Sequence, residues 1–183
     1  MPRHLSRAEL EAGVPHILAS PKDDGEIQGI TVRPVENERQ EVDSIAVTYA
    51  GGLEGDHWAK GCWMTTDDGA PHPDVQICIM NARCIDLIAQ ERSNWAPAGD
   101  NLFIDMNLTP DNMPPGTRVS VGSAVLEITD TPHNGCAKFI ERYGRDACVF
   151  VNTYERGKYK LRGIYARVEQ DGTISMGDRV KKL

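Results

Sequence analysis

The chain of 183 residues has the length of one ordinary domain, and with 40% hydrophobic residues it can bury a core without disulfide or metal staples. Its 20 Lys and Arg against 27 Asp and Glu give a net charge of −7, which argues against a general nucleic-acid or anionic-membrane binder but leaves room for a local basic pocket. No apolar stretch approaches the ~20 residues of a membrane span, and Met1 to Leu5 lead into polar sequence without a signal-peptide core, so a cytoplasmic location is expected. The five cysteines cannot all pair within the chain and form no C-x-x-C, which reads as free thiols in a reducing compartment.

In chain order, Ser6 to Glu9 has capping-box spacing and predicts a short helix ending before Pro15. After a polar loop, 26–33 and 42–49 read as strands. Val75, Ile77 and Ile79 alternate with Gln76 and Cys78, a third strand, and Asn81 can cap a helix carrying Ile85, Ile88 and Ala89 on one face. A short strand over 102–106 is followed by a hairpin turning at Gly122-Ser123. A helix is predicted over 136–143, with Gly144 at its C-cap. Alternation over 164–169 before Asp171-Gly172 predicts a second hairpin returning over 173–176. The expected fold is mainly β, a closed or nearly closed barrel with a few peripheral helices. It divides as an N-terminal helical extension over 1–25 and a barrel domain over 26–183.

Four segments offer chemistry. Gly51-Gly52-Leu53-Glu54-Gly55-Asp56-His57 is a tight turn or a place where backbone approaches a ligand, with Asp56 and His57 as acceptor and titratable imidazole. Gly99-Asp100-Asn101-Leu102 is a turn into a strand, or a source of carboxylate and amide contacts to a heterocycle. Cys136 lies where a strand gives way to a helix, near Lys138, a setting that favours the thiolate; a buried, inert cysteine is the competing reading. Cys78 and Cys84 fall on apolar patterns and read as packing. Zinc held by His57, Cys62, His72 and Cys78 matches none of the usual short ligand spacings. Arg156, Lys158, Lys160 and Arg162 alternate and would share one face if extended, as a guarded sheet edge or a phosphate-binding stripe.

Six segments, in order, resemble the MOSC domain family, the module at the C-terminus of molybdenum cofactor sulfurases that also occurs as small stand-alone bacterial proteins. These are Gly55-Asp56-His57, Ile77 to Asn81, Gly99 to Leu102, Pro114 to Gly122, Ala124 to Ile128 leading to Cys136, and Gly163 to Val168 with Gly177 to Val180. Two departures stand out. The family's Pro-Arg-x-Pro-Cys is Pro132-His133-Asn134-Gly135-Cys136 here, without the arginine, and Asp100 replaces a glutamate.

The resemblance implies a barrel that holds a molybdenum–pterin cofactor or handles sulfur destined for it. Cys136 is then metal ligand or sulfur acceptor, and His57 or Asp56 moves a proton near the metal. Asn81, Asp100 and Asn101 would meet the pterin edge, and Lys138 and Arg162 its phosphate. The leading expectation is a molybdenum-cofactor oxidoreductase acting on an N-hydroxylated small molecule, with electrons from a separate donor protein. The alternatives are a sulfur carrier loaded by a cysteine desulfurase, with a persulfide on Cys136, and a non-catalytic binding module. Pyridoxal phosphate is not expected, because the desulfurase domain of the sulfurases has no counterpart in the chain.

Overall fold

The structure, a computed structural model, describes residues 2–183. The strands are β1 (Gly25–Val32), β2 (Gln40–Glu41), β3 (Ser44–Thr48), β4 (Gly52–Leu53), β5 (Ile77–Asn81), β6 (Leu102–Asp105), β7 (Arg118–Val121), β8 (Ala124–Ile128), β9 (Ile164–Gln170), β10 (Gly172–Ser175) and β11 (Arg179–Lys182). The α-helices are α1 (Arg7–Ala12), α2 (Val14–Leu18), α3 (Trp58–Gly61), α4 (Ala82–Ala89), α5 (Ala137–Tyr143) and α6 (Arg145–Thr153). Among the described residues, no helix is long and apolar enough to cross a membrane.

Seven strands close into a barrel in the order β11-β7-β8-β9-β5-β6-β1, with β1 returning to β11 and β2 added beside β1. Every barrel neighbour is antiparallel except β5 and β6, which run parallel. That one parallel pair needs a crossover, and α4 supplies it. β10, β3 and β4 form a separate three-stranded sheet.

Strand alternation decides what each wall faces. Ile77, Ile79, Leu102, Ile104, Leu126, Ala166, Val168 and Val180 fill the barrel interior. On the outer face, Met80 and Phe103 join a second core with Leu10, Val14 and Ile17 of α1 and α2, Ile85 and Ile88 of α4, and Phe139, Tyr143 and Phe150 of α5 and α6. β5 is therefore buried on both faces, as strands covered by a crossover helix are. The N-terminal helices are part of this outer core.

Several elements differ from the sequence reading. The capping box at Ser6 is present, but a second helix starts at Val14 with Pro15 in its first turn, where the missing N–H costs nothing. The segment after Asp171-Gly172 does not fold back on β9; β10 pairs with β3 instead, and the Asp171 carboxylate accepts from the Tyr49 backbone N–H at 2.7 Å. α6 follows directly on Gly144, whose φ of +90° breaks α5 from it. The basic row is not extended: 154–157 form a 3-10 turn in which Glu155 and Arg156 have positive φ, so Arg156, Lys158, Lys160 and Arg162 share no face.

Candidate functional site

The outer wall of the barrel at β5 and β9 carries Cys78 and Tyr165, and above them lies a cavity of about 560 Å³. Five segments roof it: the loop after β1 with Arg33 and Arg39, the α3 loop with His57, Cys62 and Trp63, Ala98-Gly99 before β6, the 132–136 loop with Cys136, and α5 with Lys138, Phe139 and Arg142. Arg162 enters from the turn before β9.

Two buried ion pairs build the floor. The Arg33 guanidinium donates to both Asp56 oxygens, at 3.0 and 2.8 Å, and to the Gly99 carbonyl at 3.1 Å. Asp56 also accepts from the Arg33 backbone N–H, the Asn101 amide and the Trp58 N–H. Burial pushes the Asp56 carboxyl up, but the Arg33 bonds and charge outweigh it and hold Asp56 below its ordinary range. Arg162 donates to both oxygens of Asp100 at 2.8 Å and to the Ala98 carbonyl at 3.2 Å, while its guanidinium lies 5.1 Å from the Phe139 ring. Burial pushes Asp100 up from the usual carboxylate range against the pull of Arg162.

The remaining cations have less company. Arg39 and Arg142 form no ion pair among the described residues, and each donates to a backbone carbonyl, of Glu38 and Pro97 respectively. Burial chiefly, and then the like charges of Arg142 and Arg33, lower the Arg39 pKa. Arg39 Nε and Arg162 Nε are buried without a hydrogen-bond partner, and so is His133 Nδ1. The His133 ring lies 4.3 Å from that of Tyr165 and its side chain is 5% exposed. Burial, then Arg162 and Arg33, hold it well below the usual imidazole value. A neutral, buried histidine thus occupies the position where the resemblance leads one to look for an arginine.

Of the five thiols, Cys136 is the exposed one, and it lines this cavity. It occupies the N-cap position of α5, with extended backbone. Lys138 also lines the cavity, but its ammonium is engaged by Glu36 at 2.6 Å. His57 lines the cavity with its Nδ1–H donating to the Arg33 carbonyl at 3.0 Å, which leaves Nε2 as the lone-pair nitrogen of the neutral ring. Cys78 is more than packing: its sulfur accepts from Arg33 at 3.3 Å in the cavity floor.

Other residues singled out in the sequence lie beneath or away from the cavity. Asp56 and Asp100 are saturated by the two arginines. Asn101 ties β1, β5 and Asp56 together: its Oδ1 accepts from the Cys78 N–H, and its amide donates to the Thr31 carbonyl and Asp56. Asn81 caps α4 through the Cys84 N–H and donates to Ser20 and the Met106 carbonyl, outside the cavity lining. Sequence reasoning missed Arg33, Arg39, Arg142, His133 and Tyr165. No three His, Cys, Asp or Glu side chains converge as a metal nest among the described residues.

A family model described as the MOSC domain matches residues 53–181. Among solved structures, the YUAD protein from Bacillus subtilis is similar, with a TM-score of 0.58 at 17% identity over 85% of this chain and 93% of that one. YiiM from Escherichia coli gives a TM-score of 0.54 at 21% identity over 86% and 69%. YiiM from Geobacillus stearothermophilus gives 0.57 at 18% identity over 87% and 75%. At these identities the likeness carries the fold. No curated protein matches the sequence.

Proposed function

Because the chain belongs to the MOSC domain family, we propose that its cavity binds a molybdenum–pterin cofactor through Cys136 and that the protein is an oxidoreductase dependent on it. Family membership ties the chain to molybdenum-cofactor biology in general; oxidoreductase chemistry is the finer reading. One observation supports cofactor binding: the single exposed thiol opens into a cavity where cations outnumber the carboxylates that neutralise them.

The residues present fit the group. A thiolate is a suitable soft ligand for molybdenum. Arg39 and Arg142, crowded and without carboxylate partners, suit the phosphate of the pterin, and the unpartnered Arg39 Nε supplies a donor. Lys138 can add to them by leaving Glu36, an exposed pairing that holds it weakly. When bound, the cofactor would supply oxygen-atom and electron transfer. The protein's own residues hold and orient. Asp56 fixes Arg33 and Asp100 fixes Arg162, so neither arginine needs to reorganise to present its charge. His57 offers a nitrogen lone pair that can take or return a proton at the cavity wall. An N-hydroxylated small molecule remains the proposed substrate, with electrons delivered by a separate protein.

The exposure of Cys136 equally favours one second reading, a sulfur carrier that holds a persulfide on this residue. Metal analysis and intact mass on protein purified from cofactor-producing cells separate the two. The oxidoreductase reading expects molybdenum near one equivalent that disappears in Cys136→Ser. The carrier reading expects persulfide sulfur on Cys136 and no stoichiometric metal. Cys136→Ser with full metal content would falsify the assignment of Cys136 as ligand.

A further inference from the structure

The cavity thiol has a second thiol behind it. Cys148 sits on α6, twelve residues further along, with its Sγ 3.9 Å from the Cys136 carbonyl oxygen. One helical turn on, the Asn152 side chain clamps the loop just before Cys136: its Oδ1 accepts from the Gly135 N–H at 2.7 Å, and its amide donates to the Gly135 carbonyl at 3.1 Å. The same amide lies 3.6 Å from the Cys148 sulfur. A Cβ on Gly135 would come within 3.1 Å of that sulfur, so the glycine is what lets the loop lie directly on it. Cys78 and Cys84 are committed elsewhere, and Cys62 is the half-buried thiol of the same cavity. The Cys78 sulfur is held by Arg33, the Cys84 sulfur donates to the Leu161 carbonyl at 3.3 Å, and Cys62 stands at the C-cap of α3 on a different segment of the wall.

We propose that Cys136 and Cys148 are a reversible redox pair, in which a peroxide oxidises the exposed Cys136 sulfur and Cys148 resolves it as an intramolecular disulfide. In the first step the Cys136 sulfur attacks the peroxide O–O bond. The sulfur is oxidised to a sulfenic acid, and the departing oxygen leaves as water. In the second step the Cys148 sulfur displaces hydroxide from the sulfenic sulfur. The S–S bond forms, the S–O bond breaks, and the hydroxide leaves as water with the Cys148 proton. The balance is two thiols and one hydrogen peroxide to one disulfide and two waters. Cys148 is buried and Cys136 exposed, which sets the order: oxidant reaches Cys136 first. The disulfide draws the Cys136 sulfur towards α6, so oxidation removes the most exposed thiol of the cavity and reduction returns it. This goes beyond the cofactor reading and does not depend on it.

The test uses the full chain free of cofactor. Protein is treated with stoichiometric hydrogen peroxide, alkylated under denaturing conditions and digested without reductant for peptide mass mapping. The expected product joins the Cys136 and Cys148 peptides, is reversed by dithiothreitol, and forms equally in Cys62→Ser. In Cys148→Ser the crosslink is absent, and Cys136 accumulates as sulfenic and sulfinic acid several-fold above the wild type. In Cys136→Ser, Cys148 stays reduced, a result that does not require the Cys148 variant to fold. A Cys62–Cys136 bridge, a dimer through Cys136, or equal over-oxidation of Cys136 in wild type and Cys148→Ser each overturns the proposal. Failure here leaves the metal analysis above untouched.

Discussion

Two arginines of the cavity call for opposite expectations. Arg162 is buried against an Asp100 that is fully enclosed. Arg162→Ala leaves that carboxylate unpaired, at a cost on the order of 3–5 kcal/mol, and chemical denaturation should show it. Arg39 has no carboxylate to strand and a like-charged neighbour in Arg142. Arg39→Ala should hold stability to within about 0.5 kcal/mol while weakening inorganic phosphate binding roughly 10-fold or more, because a charge-assisted contact worth about 1.5–3 kcal/mol is lost. Calorimetric titration at fixed salt checks it. His133 makes a pH prediction. The unfolded chain takes up a proton near 6.5 that the folded protein refuses until well below that value. Its contribution to stability is therefore complete above 6.5 and declines as pH falls below it. His133→Gln should flatten that part of the profile, and urea midpoints from neutral pH down to about pH 5 measure it; an unchanged slope would contradict the buried, neutral assignment. Cys136 was legible because one short segment carries it between strand and helix. Arg33, Arg39 and Arg142 were not, since the loop after β1 and helix α5, a hundred residues apart, meet at one cavity only in the folded chain.

Among the elements, the segment entering β9 is the least forgiving. Gly163 has a φ of +111°, and a Cβ there would lie 2.1 Å from the Ile79 carbonyl of β5. Gly163→Ala should push β9 off β5 and cost more than about 2 kcal/mol, whereas alanine at Gly116, which has open space around it though a φ of +86°, should cost less. Comparing the two denaturation midpoints tests whether the clash outweighs the backbone strain. Local pattern reached most strands because inward and outward residues alternate, and it placed Asn81 as a cap because the cap sits beside its helix. It misread the segment after Asp171-Gly172 because turn chemistry specifies a reversal, not a partner: β10 is claimed by β3, more than a hundred residues earlier. The basic row failed for a related reason. Alternating charge has the period of a strand only when the backbone is extended, and Glu155 and Arg156 are not.

At the scale of the whole molecule, the barrel is shut by its last strand. β11 pairs with β7 on one side and with β1 on the other, where Gly25 faces Val180 and Glu26 faces Arg179. Removing residues 179–183 should abolish the single cooperative unfolding transition rather than fray one edge, because β1 and β7 both lose a partner; a truncated chain with an unchanged transition would show that the barrel closes without it. The same seam bears on how the protein is made. A ribosome delivers β1 well over a hundred residues before β11, so the ladder that closes the ring cannot exist until all the other barrel strands have emerged. Contacts this distant along the chain slow folding, and until β11 has emerged β1 and β7 each present an open row of backbone donors and acceptors to other nascent chains. The codons for β11 therefore decide when the newborn barrel stops being sticky.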